Sequence, residues 1–223
     1  MRNYKGLILD AFQEAAFDVI DREESVLVSA PTGSGKTLIA DYAIEHAISR
    51  GKEIIYTAPI KALSNQKYRD FRKTYGDDQV GILTGDVSIN PGAPIVIMTT
   101  EIFRNVELTE PERLRHVSWV IYDEIHYLDD IERGTVWEES LMLKPPHLKV
   151  LALSATVPNV GKMAHWMQSI HNMPVTVIRE NHRPVPLHLC FQCDDRIFTQ
   201  FDELTRSNKL IDDERQLRRA RYR

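Results

Sequence analysis

Cysteine is scarce in this sequence. The 223 residues hold two, Cys190 and Cys193, too few for the disulfide framework of a small secreted domain. A reducing, cytoplasmic setting is therefore expected. Long apolar runs are missing as well. No stretch approaches the roughly 20 residues that cross a bilayer, and no apolar signal-peptide core follows the opening Met1-Arg2-Asn3-Tyr4-Lys5. Neither membrane residence nor secretion is expected. Internal repeats and low-complexity tracts are absent. So is any excess of positive charge: the net charge is −4, which argues against binding nucleic acid by bulk charge. A binding footprint depends, however, on local patches and backbone amides. Basic residues gather at the end, where residues 206–223 hold seven basic and three acidic side chains, giving that stretch +4 against an acidic remainder. The Cys190-Phe191-Gln192-Cys193 spacing lacks a second pair or a histidine cluster, so no zinc site is expected. In a strand, its two cysteines would also face opposite ways.

What is present is ordinary for a soluble globular chain. Hydrophobic residues make up 43% and charged residues 27%, a balance that fits one large domain, with or without an appendage. Short apolar runs occur at Ser25–Ser29, Glu53–Thr57, Val80–Leu83, Ile95–Thr99, Trp119–Asp123 and Val150–Ser154. They lack strict alternation, as strands buried on both faces should. Helical patterns lie between or after them, over Thr37–Arg50, Ile60–Tyr75, Glu101–Leu108, Val136–Leu143 and Val160–Ile170. This order implies an α/β fold, a mostly parallel sheet with helices on both faces. Ligands then sit at the carboxyl ends of the strands. Trp137 and Trp166 fit helix faces and read as core. His182-Arg183-Pro184-Val185-Pro186 is held extended by its prolines. Leu187–Gln192 reads as one more strand at an edge, and from Asp194 the charged chain reads as helical. It stops inside a charged run without a helix stop signal, as a piece of a longer protein would.

Between the run Ser25–Ser29 and the first helix lies Ala30-Pro31-Thr32-Gly33-Ser34-Gly35-Lys36-Thr37. This matches the P-loop, with Ala30 in place of the first glycine. Gly33 and Gly35 permit backbone angles that side chains disfavour, so N–H groups can turn onto phosphate oxygens. The helix that follows points its positive end at the same anions. Lys36 is placed to reach the β- and γ-phosphates, and the Thr37 hydroxyl to ligate Mg²⁺. The bland alternative, a glycine-rich turn, explains the loop but not the Gly-Lys-Thr placed between strand and helix.

A second cluster ends the run Trp119–Asp123. Asp123 at that strand end faces the P-loop across the top of the sheet and is a candidate to hold Mg²⁺ through its hydration shell. Glu124 is placed to orient or deprotonate an attacking water. His126 is placed to link this site to its neighbours. Alone, Asp-Glu after a strand reads as the start of a solvated loop; downstream of a P-loop, the catalytic reading is stronger.

Asp123-Glu124-Ile125-His126 resembles the DExH box of superfamily-two helicases. Other segments resemble that family's motifs in the expected order: Ala58–Gln66 (motif Ia), Thr84-Gly85-Asp86, Thr99–Asn105 (motif Ib) and Ser154-Ala155-Thr156 (motif III). Ile60–Gln66, Asp123–Glu139, Leu153–Asn159 and Arg183–Leu187 resemble the superkiller-type branch. The resemblance covers roughly Phe12 to Leu187 and implies a first RecA-like domain over residues 1–187. Residues 188–223 would lead to a second RecA-like domain of the same protein, and the chain itself is expected to be monomeric.

The resemblance also implies roles. ATP and Mg²⁺ are the cofactors, held by Gln13, Pro31, Thr32, Gly33, Ser34, Gly35, Lys36, Thr37 and Asp123, with Gln13 reading adenine. Lys36, Asp123, Glu124 and His126 serve catalysis. Pro59, Lys61, Thr84, Gly85, Thr100, Glu101 and Arg104 contact the backbone of RNA or DNA, and such contacts are independent of sequence. The alternative reading of Lys61 and Arg104 is a solvated surface charge. Ser154 and Thr156 couple the two sites, or simply cap a helix. No segment resembles the family's arginine-supplying motif VI, which lies in the second domain. Two other readings share these residues: a DNA-directed repair helicase or translocase, and a switch or scaffold that binds ATP without mechanical work.

Overall fold

The computed structural model describes residues 2–130, 134–183, 185–186, 190–193, 196–200, 202 and 205. In chain order these form a short hairpin, β1 (Asn3–Tyr4) and β2 (Leu7–Ile8), then α1 (Ala11–Asp21), β3 (Ser25–Ser29), α2 (Lys36–Ser49), β4 (Glu53–Ala58) and α3 (Lys61–Tyr75). Next come β5 (Val80–Leu83), β6 (Ser88–Ile89), β7 (Ile95–Thr99), α4 (Thr100–Thr109), β8 (Val117–Tyr122), α5 (Gly134–Leu143), β9 (Lys149–Ser154), α6 (Val160–His171) and β10 (Val175–Arg179). Last are β11 (Phe191–Cys193) and β12 (Arg196–Phe198).

Eight strands make one sheet in the order β10-β3-β9-β8-β4-β7-β5-β6. Every neighbouring pair is parallel except β5 with β6. The period of two along each strand divides the side chains between two cores. Val26, Val28, Ile54, Tyr56, Ile95, Ile97, Trp119, Ile121, Leu151 and Leu153 face α1, α2 and α3. Leu27, Ile55, Val96, Met98, Val120, Tyr122, Val150 and Ala152 face α4, α5 and α6. That double burial is why the strands read as continuous apolar runs. Each large aliphatic side chain so buried stabilises the fold by about 1.5–3 kcal/mol. Trp137 is buried, as its helix position suggests, whereas Trp166 is only partly covered.

Besides the short hairpins β1–β2 and β11–β12, three elements escape the sequence patterns. The helix α1 is one, although Phe12, Ala16, Phe17, Val19 and Ile20 make its buried stripe. Its start is marked too, because the Gln13 side-chain carbonyl accepts the Asp10 N–H at 3.0 Å, half of a capping box. The β-branched run Val175–Ile178 is the second; it adds β10 beside β3. The two-residue β6 is the third, and nothing in its length announces a strand.

The chain divides into two units, residues 1–183 and 184–223. In the second, the strand expected over Leu187–Gln192 falls partly outside the described residues. What is described there is β11 paired antiparallel with β12 in a two-stranded sheet of its own. The helix expected from Asp194 is therefore corrected at Arg196–Phe198, the second strand of that hairpin; Asp202 and Thr205 are helical. Residues 206–223, with their basic cluster, lie outside the described residues.

Candidate nucleotide site and nucleic-acid groove

Parallel strands bring all their carboxyl ends to one edge. Along that edge, in sheet order, come the P-loop after β3, Ser154 at the end of β9, Asp123 after β8, Pro59 and Lys61 after β4, Thr100 after β7 and Thr84-Gly85 after β5. Residues spread over more than a hundred positions of sequence thus form one continuous row.

In the P-loop, Gly33 and Gly35 have φ of 84° and 86°, the left-handed region that side chains disfavour. Gly35 is the residue before α2, so the loop ends at a helix N-terminus with free N–H groups. The loop is held from outside by Gln13, whose side-chain amide donates to the carbonyl of Gly35 at 3.3 Å and of Ser34 at 3.5 Å. A Cβ on Gly35 would meet that amide at 2.6 Å. Gln13 thus fastens α1 to the loop, a role that its sequence position did not reveal. The Lys36 ammonium lies across the loop and donates to the carbonyls of Ala30 at 2.8 Å and Pro31 at 3.1 Å. Burial pushes its pKa down, against the opposing pull of the Glu124 and Asp123 carboxylates. The Ser34 hydroxyl is buried and has no hydrogen-bond partner within the protein. Thr37, in the first turn of α2, is exposed.

At the end of β8, Asp123 is held at both oxygens. Oδ1 accepts the Glu124 N–H at 3.1 Å, and Oδ2 accepts the hydroxyl of Tyr56, a fully buried residue of β4. Burial, then the adjacent Asp123 charge, pushes the Tyr56 phenol well above its usual range, so it remains a donor. Glu124 adopts φ 56° and ψ 43°, a strained left-handed conformation for a side chain of its size. That turn sends its Oε2 inward, where it is buried without a hydrogen-bond donor. His126 Nδ1 lies 3.4 Å from that oxygen and also 3.4 Å from the Ala155 nitrogen, whose N–H it accepts.

The strand β9 runs between β3 and β8, and its end joins the two clusters. The Ala30 N–H donates to the Ser154 carbonyl at 3.1 Å. The Ser29 hydroxyl donates to the Ala155 carbonyl at 3.2 Å and accepts the Val157 N–H at 3.4 Å. Ser154 is fully buried and its hydroxyl has no partner within the protein. Thr156 is exposed. Ser29 and Tyr56 are the residues that the motif pattern missed. Both lie inside apolar strand runs, where a polar atom has no sequence signal of its own.

Further along the edge, Pro59, Ile60, Lys61, Gly85, Thr99, Glu101 and Ile102 line an open groove. The helices α3 and α4 both begin there, at Lys61 and Thr100, and present their partly positive ends. The Lys61 ammonium pairs with the exposed Asp86 at 3.0 Å. That contact, then the Thr84 hydroxyl, holds the Asp86 carboxyl below its usual range. Thr84 and Thr100 are buried at the rim. Arg104 stands apart: it is turned away to Glu139 of α5 at 2.7 Å, and its side chain is 26% exposed.

A P-loop, a strand-end Asp-Glu pair and a helix-covered parallel sheet define a RecA-like P-loop NTPase domain. The comparisons with known proteins narrow this. A model of the DEAD/DEAH box helicase family matches residues 10–163, and the chain belongs to that family. It is similar to the DExH-box ATP-dependent RNA helicase DExH9 of Arabidopsis thaliana, 48% identical over 80% of this chain and 18% of that protein. It is likewise similar to the human exosome RNA helicase MTR4, 50% identical over 81% of this chain and 17% of that one. Such relatives bear out the superkiller-type resemblance. The chain thus spans less than a fifth of these two proteins. Among solved structures it is similar to the Mycobacterium smegmatis helicase Lhr bound to ssDNA and AMP-PNP. That match has a TM-score of 0.62 and 27% identity, and it covers 76% of this chain and 25% of that one.

Proposed function

We propose that this chain is the ATP-binding motor domain of a helicase that moves along single-stranded nucleic acid, RNA in the first instance, using ATP and Mg²⁺. The observation that carries the reading is the single strand edge on which the phosphate loop and the groove meet. RNA is favoured because two relatives near 50% identity are named RNA helicases; the Lhr structure, at lower identity, holds ssDNA. The setting proposed is intracellular. Among the described residues no helix is long and apolar enough to cross a membrane.

The residues fit a nucleotide. The Ser34 hydroxyl and Glu124 Oε2 are buried without partners in the protein, a cost that a ligand or its water would offset. Lys36 would exchange the Ala30 and Pro31 carbonyls for phosphate oxygens. Phosphates are received by the loop amides and Lys36, and Gln13 ties the adenine side to the same loop. Thr37 and Asp123 would hold Mg²⁺, which supplies neutralisation of phosphate charge when bound. Glu124 orients the attacking water and accepts its proton. His126 and Ser154 report the state of this site through Ala155 to neighbouring segments. In the groove, Pro59, Lys61, Thr84, Gly85, Thr100 and Glu101 follow a sugar–phosphate backbone. Lys61 exchanges Asp86 for a phosphate there. Arg104 joins them only by releasing Glu139.

A second RecA-like domain of the same protein supplies arginines to the γ-phosphate, and such a finger is worth about 10³–10⁵ in rate. The isolated chain, a monomer in this reading, binds nucleotide but turns it over poorly and does not unwind duplexes. Strand displacement by the complete protein tests the proposal, with RNA and DNA duplexes run side by side. ATP-dependent displacement supports a motor, and the better duplex identifies the substrate. Nucleotide binding without displacement of either would mean a switch or scaffold instead.

A further inference from the structure

The Asp123 carboxylate depends on a residue that no motif includes. Tyr56 sits in the middle of β4, fully buried, where an apolar side chain would serve packing as well. Its ring meets Phe71 edge-on, with centroids 5.2 Å apart, and Lys67 places its ammonium 5.3 Å from the ring centre. Those contacts fix the ring. Its hydroxyl then reaches across to the next strand and donates to Asp123 Oδ2. Oδ1 is already engaged by the Glu124 N–H, so the two donors set the carboxylate plane. Without the phenol, one oxygen would be free to rotate about the bond to Cβ. The backbone repeats the link, because the Asp123 N–H donates to the Thr57 carbonyl at 3.0 Å.

We propose that Tyr56 is the positioning residue of the metal-side carboxylate, and that it ties Asp123 to the strand carrying the nucleic-acid groove. The proposal rests on the reading of Asp123 as a Mg²⁺ residue. A carboxylate that holds a metal through water is useful only in one orientation, and outer partners that fix such ligands typically contribute about 10–100-fold in metal affinity or activity. The same strand continues into Pro59 and the start of α3 at Lys61. Any shift of β4 caused by occupancy of the groove is therefore delivered to the carboxylate by a rigid ring rather than by a flexible chain.

The variant Tyr56→Phe removes one oxygen and leaves the ring in place. The readout is calorimetric binding of ATP to the complete protein as Mg²⁺ is titrated, with Mg²⁺-free ATP binding as the check on folding. The control variant Phe71→Leu loosens the same packing without touching the hydroxyl. The expected result is a Mg²⁺ half-saturation raised roughly tenfold in Tyr56→Phe, with Mg²⁺-free binding unchanged and a clearly smaller rise in Phe71→Leu, which keeps the hydroxyl but loosens the ring that carries it. An unchanged or tighter half-saturation in a Tyr56→Phe protein that still binds Mg²⁺-free ATP would overturn the proposal. So would an equal shift in Phe71→Leu, since packing would then explain it. If ATP binding by the wild type ignores Mg²⁺, the reading of Asp123 fails, and this inference falls with it.

Discussion

The two halves of the strand edge are built on opposite principles. At the β3-β9-β8 end the polar atoms are buried and several lack partners: the hydroxyls of Ser34 and Ser154, and Glu124 Oε2. At the β4-β7-β5 end one hydroxyl, that of Thr100, is also buried without a partner, but the Lys61–Asp86 ion pair stands in the open, at side-chain exposures of 56% and 64%. A buried polar atom without a partner is costly, so the first half is preorganised for a ligand it must hold in one geometry. An exposed ion pair contributes little to stability, so the second half can exchange its partners easily. On the proposed reading, ATP chemistry would use the first arrangement and movement along a backbone the second.

The largest expected effect breaks the first half at its centre. Glu124→Gln keeps ATP binding and lowers turnover of the complete protein by about a thousandfold, the scale of a general base; single-turnover hydrolysis checks it, and near-normal turnover would remove Glu124 from the chemistry. Next is Lys36→Ala. Deleting a cation that meets phosphate weakens ATP binding by about a hundredfold, while circular dichroism and melting stay close to wild type, because Lys36 donates to loop carbonyls and supports no core contact. Unchanged affinity in the folded variant would refute the phosphate assignment.

The smallest effects sharpen the other half. Lys61→Ala lowers nucleic-acid affinity about fivefold at low salt and reduces the slope of log affinity against log salt by about 1. Arg104→Ala is the contrast. Its pair with Glu139 is more buried, at 26% exposure for the arginine, so the substitution lowers stability by about 1 kcal/mol and leaves nucleic-acid affinity nearly unchanged. An equal loss of affinity in both variants would show that burial does not grade these cations.

Much of this was legible in the sequence, and for identifiable reasons. The buried strands announced themselves as apolar runs because helices cover both faces of the sheet. The P-loop and the Asp-Glu pair were legible because their chemistry demands fixed residue types at fixed spacings. The groove residues were legible only through the family resemblance, since nothing in Pro59 or Gly85 alone signals a phosphate backbone. Gln13 was picked out, but its grip on the Ser34 and Gly35 carbonyls was not. Ser29 and Tyr56 were invisible for the opposite reason: each occupies a strand position that also makes sense as packing, and only the sheet order brings it beside its partner. Arg104 shows the limit from the other side. Its place in the motif suggested a contact surface, while the partner that turns it away, Glu139, lies on a helix 35 residues later in sequence.

If the two halves act as one device, nucleic acid in the groove speeds hydrolysis at the phosphate loop. The measurement is ATP hydrolysis by the complete protein, with and without single-stranded RNA. Stimulation of roughly tenfold is expected, weakened by Lys61→Ala at fixed ATP concentration. Equal rates with and without nucleic acid, in a protein that binds both ligands, would contradict it.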